Sequence, residues 1–337
     1  MKIYNDYIQT IKAAVQADPK NRRMNENLSY ETRNMFEKSM SFRTFSEQVP
    51  EKKLLPSLAD LATTLGREPN FEQQLGLHPD FAHLRHSGGT ENHYIVSMFV
   101  DISGSTNLFK RYVQETVSII TNTIQRAAIH TALIFDGYVH RLQGDGLFIY
   151  FGGKGISQKQ AVERSLQFSS VFTYFVKNDL KNVFNEQGIE QIFTRIGVDL
   201  GYDSDVVWMM AGIGNISEVT TCSLHTSLAS KMQGYAERNG VVAGDNIVAT
   251  VSDLRQYFAP VCQRTNERDR YIFQIPEERF NYTQHDFDWL NYLKKQDFIA
   301  TDILGAPQLR TRLAVYTSKN LANLAPIAAA SKPSFNG

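Results

Sequence analysis

Residues 138–151 read YVHRLQGDGLFIYF, an aspartate between two glycines set between two apolar, β-rich runs. Gly144 and Gly146 accept turn geometry, so the stretch commits the chain to a tight antiparallel hairpin. Asp145 then stands at the hairpin tip, where no core needs a carboxylate. An antiparallel sheet is therefore the expected centre of the fold, and Asp145 the first residue expected to carry chemistry.

The sequence on either side orders the remaining elements. YIVSMFVDI, from Tyr94, is β-rich, and TNLFKRYVQETVSIITNTIQRAAIHTALIFDG has helical character, as one or two helices ending at Gly137. After the hairpin, SQKQAVERSLQFSSVFTYFVKNDLKNVFNEQG predicts a long helix capped by Ser157 and stopped near Gly188. QIFTRIGVDLGYDSDVVWMMAGIG gives two strands joined by a loop holding Asp203 and Asp205. LHTSLASKMQGYAERNG predicts a helix ending at Gly240, VVAGDNIV a strand, and RYIFQI the last strand. Strands and helices alternating around paired hairpins predict an α+β sandwich, with helices on one face of a mainly antiparallel sheet.

Residues 1–65 read as a helical N-terminal extension, from the spacing of Tyr4, Ile8, Ile11 and Val15 and of Leu54, Leu55, Leu58 and Leu61. Residues 66–92, with two prolines, four glycines and no sustained period, read as a linker. The main domain is expected over 93–275. Residues 276–337 are expected to hold one aromatic helix, FDWLNYLKKQ, and a flexible Ala-, Pro- and Ser-rich tail.

Lys and Arg number 35 and so do Asp and Glu, so no net field attracts a polyanion, and nucleic acid is not an expected partner. Cys222 and Cys262 lack the paired spacing of a zinc site or a disulfide scaffold and read as reduced thiols. Asp6 and Gln9 interrupt the apolar N-terminus, unlike a signal peptide, and no run reaches the ~18 apolar residues of a transmembrane segment. A cytoplasmic location is expected.

A second carboxylate has a context as specific as the first. In SMFVDISGSTNLF, Asp101 ends an apolar strand and precedes a turn with Ser103, Gly104 and Ser105, followed by a helix. Backbone N–H groups at such a turn bind phosphate oxygens, and a helix dipole adds to the attraction. If the hairpin lies beside the Asp101 strand, both acids converge. Two hard oxygen ligands beside a triphosphate suit Mg²⁺ or Mn²⁺, and two such ions activate a hydroxyl and stabilise a leaving pyrophosphate.

FVDISGSTNLF, HRLQGDGLFIYF, TRIGVDLG and SLASKM resemble the successive signature blocks of the class III nucleotidyl cyclases, the adenylate and guanylate cyclase catalytic domain, over roughly residues 94–275. The resemblance implies a ferredoxin-like core acting as a head-to-tail homodimer with shared active sites. It further implies that Asp101, Asp145 and the Ile102 carbonyl hold two Mn²⁺ or Mg²⁺ ions, and that Ser103, Gly104, Ser105 and Thr106 hold phosphates. The family's purine-reading Lys falls at Arg141 and its partner Asp at Thr220 or Thr221. The family's transition-state Asn and Arg fall at Ser227 and Lys231, whose i, i+4 spacing keeps them on one helix face; Arg238 is a further candidate there.

Arg141 has a donor fork and no acceptor, which suits uracil, cytosine or guanine edges and disfavours adenine. These departures resemble the pyrimidine cyclases of bacterial Pycsar antiphage defence. That implies a cyclic UMP or cyclic CMP product, read by a separate cyclic-nucleotide-binding effector. UTP is favoured over CTP because uracil O4 accepts where cytosine N4 donates. A purine cyclase with a drifted pocket and a non-catalytic nucleotide-binding module are the alternatives. FGGKGIS fails as a P-loop because Gly155 follows the Lys, and GIGNIS lacks the third glycine of a dinucleotide fingerprint. Arg264, Arg268 and Arg270 read as a solvated stretch that could also reach a triphosphate.

Overall fold

The computed structural model describes residues 1–20, 52–185, 192–266 and 270–310. In chain order the strands begin β1 (Thr90–Asn92), β2 (Ile95–Ser103), β3 (Gly137–Gln143), β4 (Gly146–Phe151), β5 (Phe193–Gly201) and β6 (Val206–Ile213). They continue β7 (Ile216–Ser223), β8 (Gly240–Gly244), β9 (Phe258–Pro260), β10 (Tyr271–Ile275), β11 (Phe280–Phe287), β12 (Ile299–Thr301) and β13 (Pro307–Leu309). The longer helices are α1 (Asn5–Ala17), α2 (Pro56–Leu65), α3 (Gln114–Ile134), α4 (Gln158–Tyr174), α5 (Leu224–Tyr235) and α6 (Trp289–Lys294).

The central sheet runs β10-β11-β8-β5-β2-β4-β3, with β9 on β11. Only β5 and β8 pair in parallel; the remaining pairs are antiparallel. Alternation along β2 explains its central place. Val96, Met98, Val100 and Ile102 enter the main core with residues of α3 and α4, leaving Ser97, Phe99 and Asp101 on the opposite face. The whole is an α+β fold with the strand-helix-hairpin-helix-strand order expected from the sequence.

Helices lie on both faces, against the one-face expectation. Ser97 bonds Thr226 of α5 at 2.8 Å, and a Cβ on Gly197 would lie 2.1 Å from the Ala229 carbonyl oxygen. Glycine at 197 thus lets α5 settle directly on the sheet. Beneath the start of α5, the fully buried Asp199 carboxylate accepts from His225 Nδ1 at 2.9 Å, Tyr282 Oη at 2.7 Å and the Leu200 N–H at 2.9 Å.

Ser157 caps α4 in a full capping box with Gln160. A π turn over Phe175–Leu180 prolongs the helix to Asn185, and the expected stop near Gly188 lies outside the described residues. The N-terminal helices pack on the core: Tyr4 Oη meets Thr131 Oγ1 at 2.6 Å, and its ring stacks on Phe175 at 4.1 Å. Residues 21–51 and 311–337, including the middle of the expected extension and most of the expected tail, lie outside the described residues.

Three further sequence expectations need correction. The stretch 66–92 is folded onto the sheet rather than bridging to it: Phe81 stacks on Trp208 at 4.0 Å, and the Gly76 N–H donates to the His140 carbonyl at 2.9 Å. Isolated aromatics among glycines and prolines give no periodic signal, which hid this packing. RYIFQI is not the last strand of the sheet, because β11 follows and separates β10 from β8. GIGNIS is the turn of the β6–β7 hairpin, so β7 was missed; with β1 these form a separate three-stranded sheet.

Candidate active site

Asp101, on β2, and Asp145, just before the adjacent β4, are brought close by two glycines with different tasks. Gly144 has φ +62°, the left-handed value a II′-type hairpin needs at its first central residue. Gly146 instead provides clearance, since a Cβ there would sit 2.5 Å from the Val100 carbonyl oxygen and 3.5 Å from the Asp101 Cα. Strand β4 therefore lies hard against β2 beside Asp101, and Asp145 is the next residue back along the chain. Gln125 of α3 donates to the Gly144 carbonyl at 3.1 Å and pins the tip.

The turn after β2 is stitched to both carboxylates. Ser103 Oγ donates to Asp101 and Ser105 Oγ to Asp145. Gly104, at φ +93°, turns the chain, Asn107 N–H closes onto its carbonyl at 3.1 Å, and Thr106 is exposed. The helix that follows, Leu108–Arg111, has only four residues. The expected dipole contribution is correspondingly small, leaving hydroxyls and turn amides as the polar groups the turn presents. The Ile102 side chain is buried in the core.

Sequence reasoning missed Arg195. It is the β5 residue in register with Asp101, and its Nη2 and Nε reach Asp101 Oδ2 at 2.7 and 3.2 Å. An arginine heading an apolar strand was the available signal, but its partner depends on a cross-strand register the sequence does not state. Asp101 and Asp145 with the neighbouring serine hydroxyls form an all-oxygen donor set, which fits a hard divalent cation. Beside Asp145 opens a cleft of about 400 Å³ lined by hydroxyl and amide groups, among them Ser105, Ser118, Thr121, Asn122 and Gln125.

The remaining candidates lie elsewhere on the chain. Thr220 and Thr221 on β7 meet Tyr150 Oη at 3.4 and 2.8 Å, and Thr221 Oγ1 continues to Thr226 at 3.0 Å. Ser227 lines a second groove, of about 600 Å³, with Thr220, Thr221 and Thr226. Ser227 and Lys231 are both exposed on α5. Arg238 lies past the end of α5 and stacks on Phe193, so it does not share their helix face. Arg264 is committed to Asp286 at 2.8 and 3.0 Å, Arg270 covers the Tyr271 ring, and Arg268 is outside the described residues.

Arg141 does not stand alone. Its Nε lies 2.5 Å from Glu218 Oε2 and its Nη2 engages Oε1, a bidentate pair between β3 and β7. Behind it, His140 is completely buried with its Nε2 3.6 Å from the same carboxylate. Glu218 lies two residues before Thr220 in a strand the sequence did not reveal, so nothing marked it in advance.

No family model matches the sequence. A cytidylate cyclase of Staphylococcus aureus is 34% identical over 264 residues, 77% of this chain and 61% of that protein. Two cytidylate cyclases of Escherichia coli are 34% and 30% identical, over 71% and 68% of this chain and 55% and 51% of their own lengths. The chain thus spans little more than half the length of these relatives. Among solved structures, the adenylyl cyclase CyaB of P. aeruginosa is 18% identical with a TM-score of 0.48, over 59% of this chain and 95% of that one. The guanylyl cyclase Cya2 is 15% identical with a TM-score of 0.44, over 59% and 93%. At 34% identity over 77% of its length to a cytidylate cyclase, this chain belongs to the nucleotidyl cyclases, and it contains a class III cyclase domain.

Proposed function

We propose that the protein is a metal-dependent nucleotidyl cyclase acting on a pyrimidine nucleoside triphosphate. The observation that carries this reading is a pair of serines, Ser103 bonded to Asp101 and Ser105 to Asp145, where β2 and β4 pack so closely that a Cβ on Gly146 would lie 3.5 Å from the Asp101 Cα. In the reaction the ribose 3′ oxygen forms a bond to the α-phosphorus, the bond to the β-phosphate oxygen breaks, and pyrophosphate leaves with the electron pair. Asp101, Asp145 and the Ile102 carbonyl would hold Mg²⁺ or Mn²⁺, which supply charge neutralisation at the phosphates and acidify the 3′ hydroxyl. Ser103, Gly104, Ser105 and Thr106 position the triphosphate, and Lys231 places a positive charge toward the developing pentavalent phosphorus, with Ser227 at the ribose.

Asp145 and Ser227 line different grooves of one chain, which supports sites shared between two copies, each completing the other. The relatives are cytidylate cyclases, which supports a pyrimidine substrate. The resemblance to antiphage cyclases supports a second-messenger product read by a separate effector. Incubation with each of the four nucleoside triphosphates and Mn²⁺, with products identified by mass spectrometry, tests the reading. Cyclic CMP or cyclic UMP is expected; cyclic AMP or GMP alone would overturn it. Ser227 and Lys231, in place of the family's Asn and Arg, favour one rival: a module that binds nucleotide without releasing pyrophosphate under any metal.

A further inference from the structure

Cytosine and uracil differ at position 4, and Arg141, a donor, suits uracil O4 only where no acceptor stands beside it. The structure supplies that acceptor. We propose that Glu218, gripped by Arg141, accepts a hydrogen bond from the exocyclic amino group of cytosine and so selects CTP over UTP; the proposal rests on the cyclase reading above.

The backbone is deformed to build this pair. In β3 the register with β4 slips between Val139 and Arg141, a bulge of the kind that re-aims side chains beside functional sites. Tyr138 is paired with Tyr150 and Val139 with Ile149, so regular alternation would turn Arg141 onto the Val139 face, toward the main core. The extra residue, His140, instead brings Arg141 opposite Phe148, onto the face where Tyr138, Phe148 and Tyr150 cluster with Trp208 and Val219 of the β6–β7 arm. There it meets Glu218, 77 residues on.

The pair is placed to meet a ligand. Arg141 is 42% exposed and Glu218 22%, enough for a base edge to reach both while the rest of the carboxylate stays dry. Directly opposite Glu218 on β6 is Ala211, which with Thr220 lines the 600 Å³ groove; facing cross-strand partners share a face, so Glu218 sits at that groove's edge. Behind it, His140 is fully buried with no hydrogen-bond partner on either ring nitrogen among the described residues. Burial lowers its pKa to about 3, so at neutral pH it adds no positive charge to offset Glu218.

The chemistry then discriminates. Arg141 uses two of its five N–H groups on Glu218, leaving others for the O2 or N3 acceptors of cytosine. The carboxylate has about four lone-pair directions, and after Arg141 takes one on each oxygen, capacity remains for the N4 amino donor. Uracil presents O4 at that point, an acceptor against an acceptor-only carboxylate.

The test compares kcat/KM for CTP and UTP, and for a CTP analogue whose base lacks the 4-amino group, on the wild-type protein and on Glu218→Gln. Wild-type protein is expected to prefer CTP by at least about tenfold over both UTP and the analogue. In Glu218→Gln, whose amide also donates, the CTP:UTP ratio is expected to collapse by about tenfold or more. Equal loss on both nucleotides would make Glu218 a brace for Arg141 only and overturn the proposal. Preference for UTP, or for the analogue as much as CTP, would overturn it while leaving the pyrimidine reading intact. Absence of any cyclic pyrimidine product would defeat that reading itself. The analogue arm uses unmutated protein, so it can still overturn the proposal if Glu218→Gln fails to fold; Glu218→Ala then supplies the second variant for the CTP:UTP ratio.

Discussion

Replacing Gly146 by alanine puts a methyl 2.5 Å from the Val100 carbonyl oxygen and 3.5 Å from the Asp101 Cα. Ordinary contact begins near 3.4 Å, so β4 must retreat from β2 by about 0.9 Å at this point. Neither obstacle is the loose end of a side chain: both are backbone atoms of β2, which is itself held between β4 and β5. Overpacking of this kind costs about 1–3 kcal/mol, and about 2 kcal/mol lowers the melting temperature of a 337-residue protein by roughly 3 °C. The larger effect falls on turnover, because the retreat separates Asp145 from Asp101, and a misplacement of about 1 Å costs on the order of 100-fold. Gly144→Ala is the matched comparison. Nothing lies within 4 Å of its Cβ, but its φ of +62° is unfavourable for alanine, at about 1–2 kcal/mol. It should lower melting without moving β4, and turnover should fall less than about tenfold. Thermal melting and pyrophosphate release from CTP with Mn²⁺ measure both. Unchanged melting and turnover in Gly146→Ala, or a larger loss of turnover in Gly144→Ala, would refute the argument that Gly146 provides clearance.

Asp101→Ala and Lys231→Ala are each expected to lose about 10³-fold in turnover; mixed and re-equilibrated, they should regain up to about a quarter of wild-type activity if sites are shared in a twofold dimer, and no recovery would place the whole site in one chain. Arg195→Ala should shift melting little, since the pair with Asp101 is about one-third exposed on both sides and worth about 0–1 kcal/mol. Its turnover should nonetheless drop about 10- to 100-fold as Asp101 loses its anchor; unchanged turnover would exclude that role. Burial pulls the His225 pKa down, but the hydrogen bond and charge of Asp199 outweigh it and hold the value above the ordinary 6.5. Stability from this group is complete below about pH 6.5 and lost as pH rises through the raised value. Melting of wild-type protein should therefore fall more steeply between pH 6 and 8.5 than that of His225→Gln, and parallel curves would contradict this.

The legible parts of the fold were those written in local chemistry. The Gly144-Asp145-Gly146 turn, the Ser157 cap and the alternation of Val96, Met98, Val100 and Ile102 each depend on neighbours within a few residues, and each is present. Asp101 and Asp145 were readable as a pair because the turn and strand that carry them are so marked. What escaped depends on register between distant strands. Arg195 gains its meaning only opposite Asp101, and Glu218 only once a bulge turns Arg141 toward a strand with no strong β signal. Polar residues such as Ser217, Glu218, Thr220 and Thr221 made β7 look like a loop. Phe81 and Trp208 were hidden similarly, since two aromatics stacking across more than a hundred residues leave no periodic trace.

The place of β11 in the central sheet bears on how this protein can be cut. A chain ending at Ile275, where the recognisable blocks stop, would strip β10 of its neighbour and leave the edges of β8 and β9 unsatisfied. It would also delete Tyr282, and with it one of the donors that hold Asp199 beneath α5. Such a fragment would present raw strand edges to other copies and precipitate rather than dimerise. The smallest piece worth expressing extends at least through Phe287.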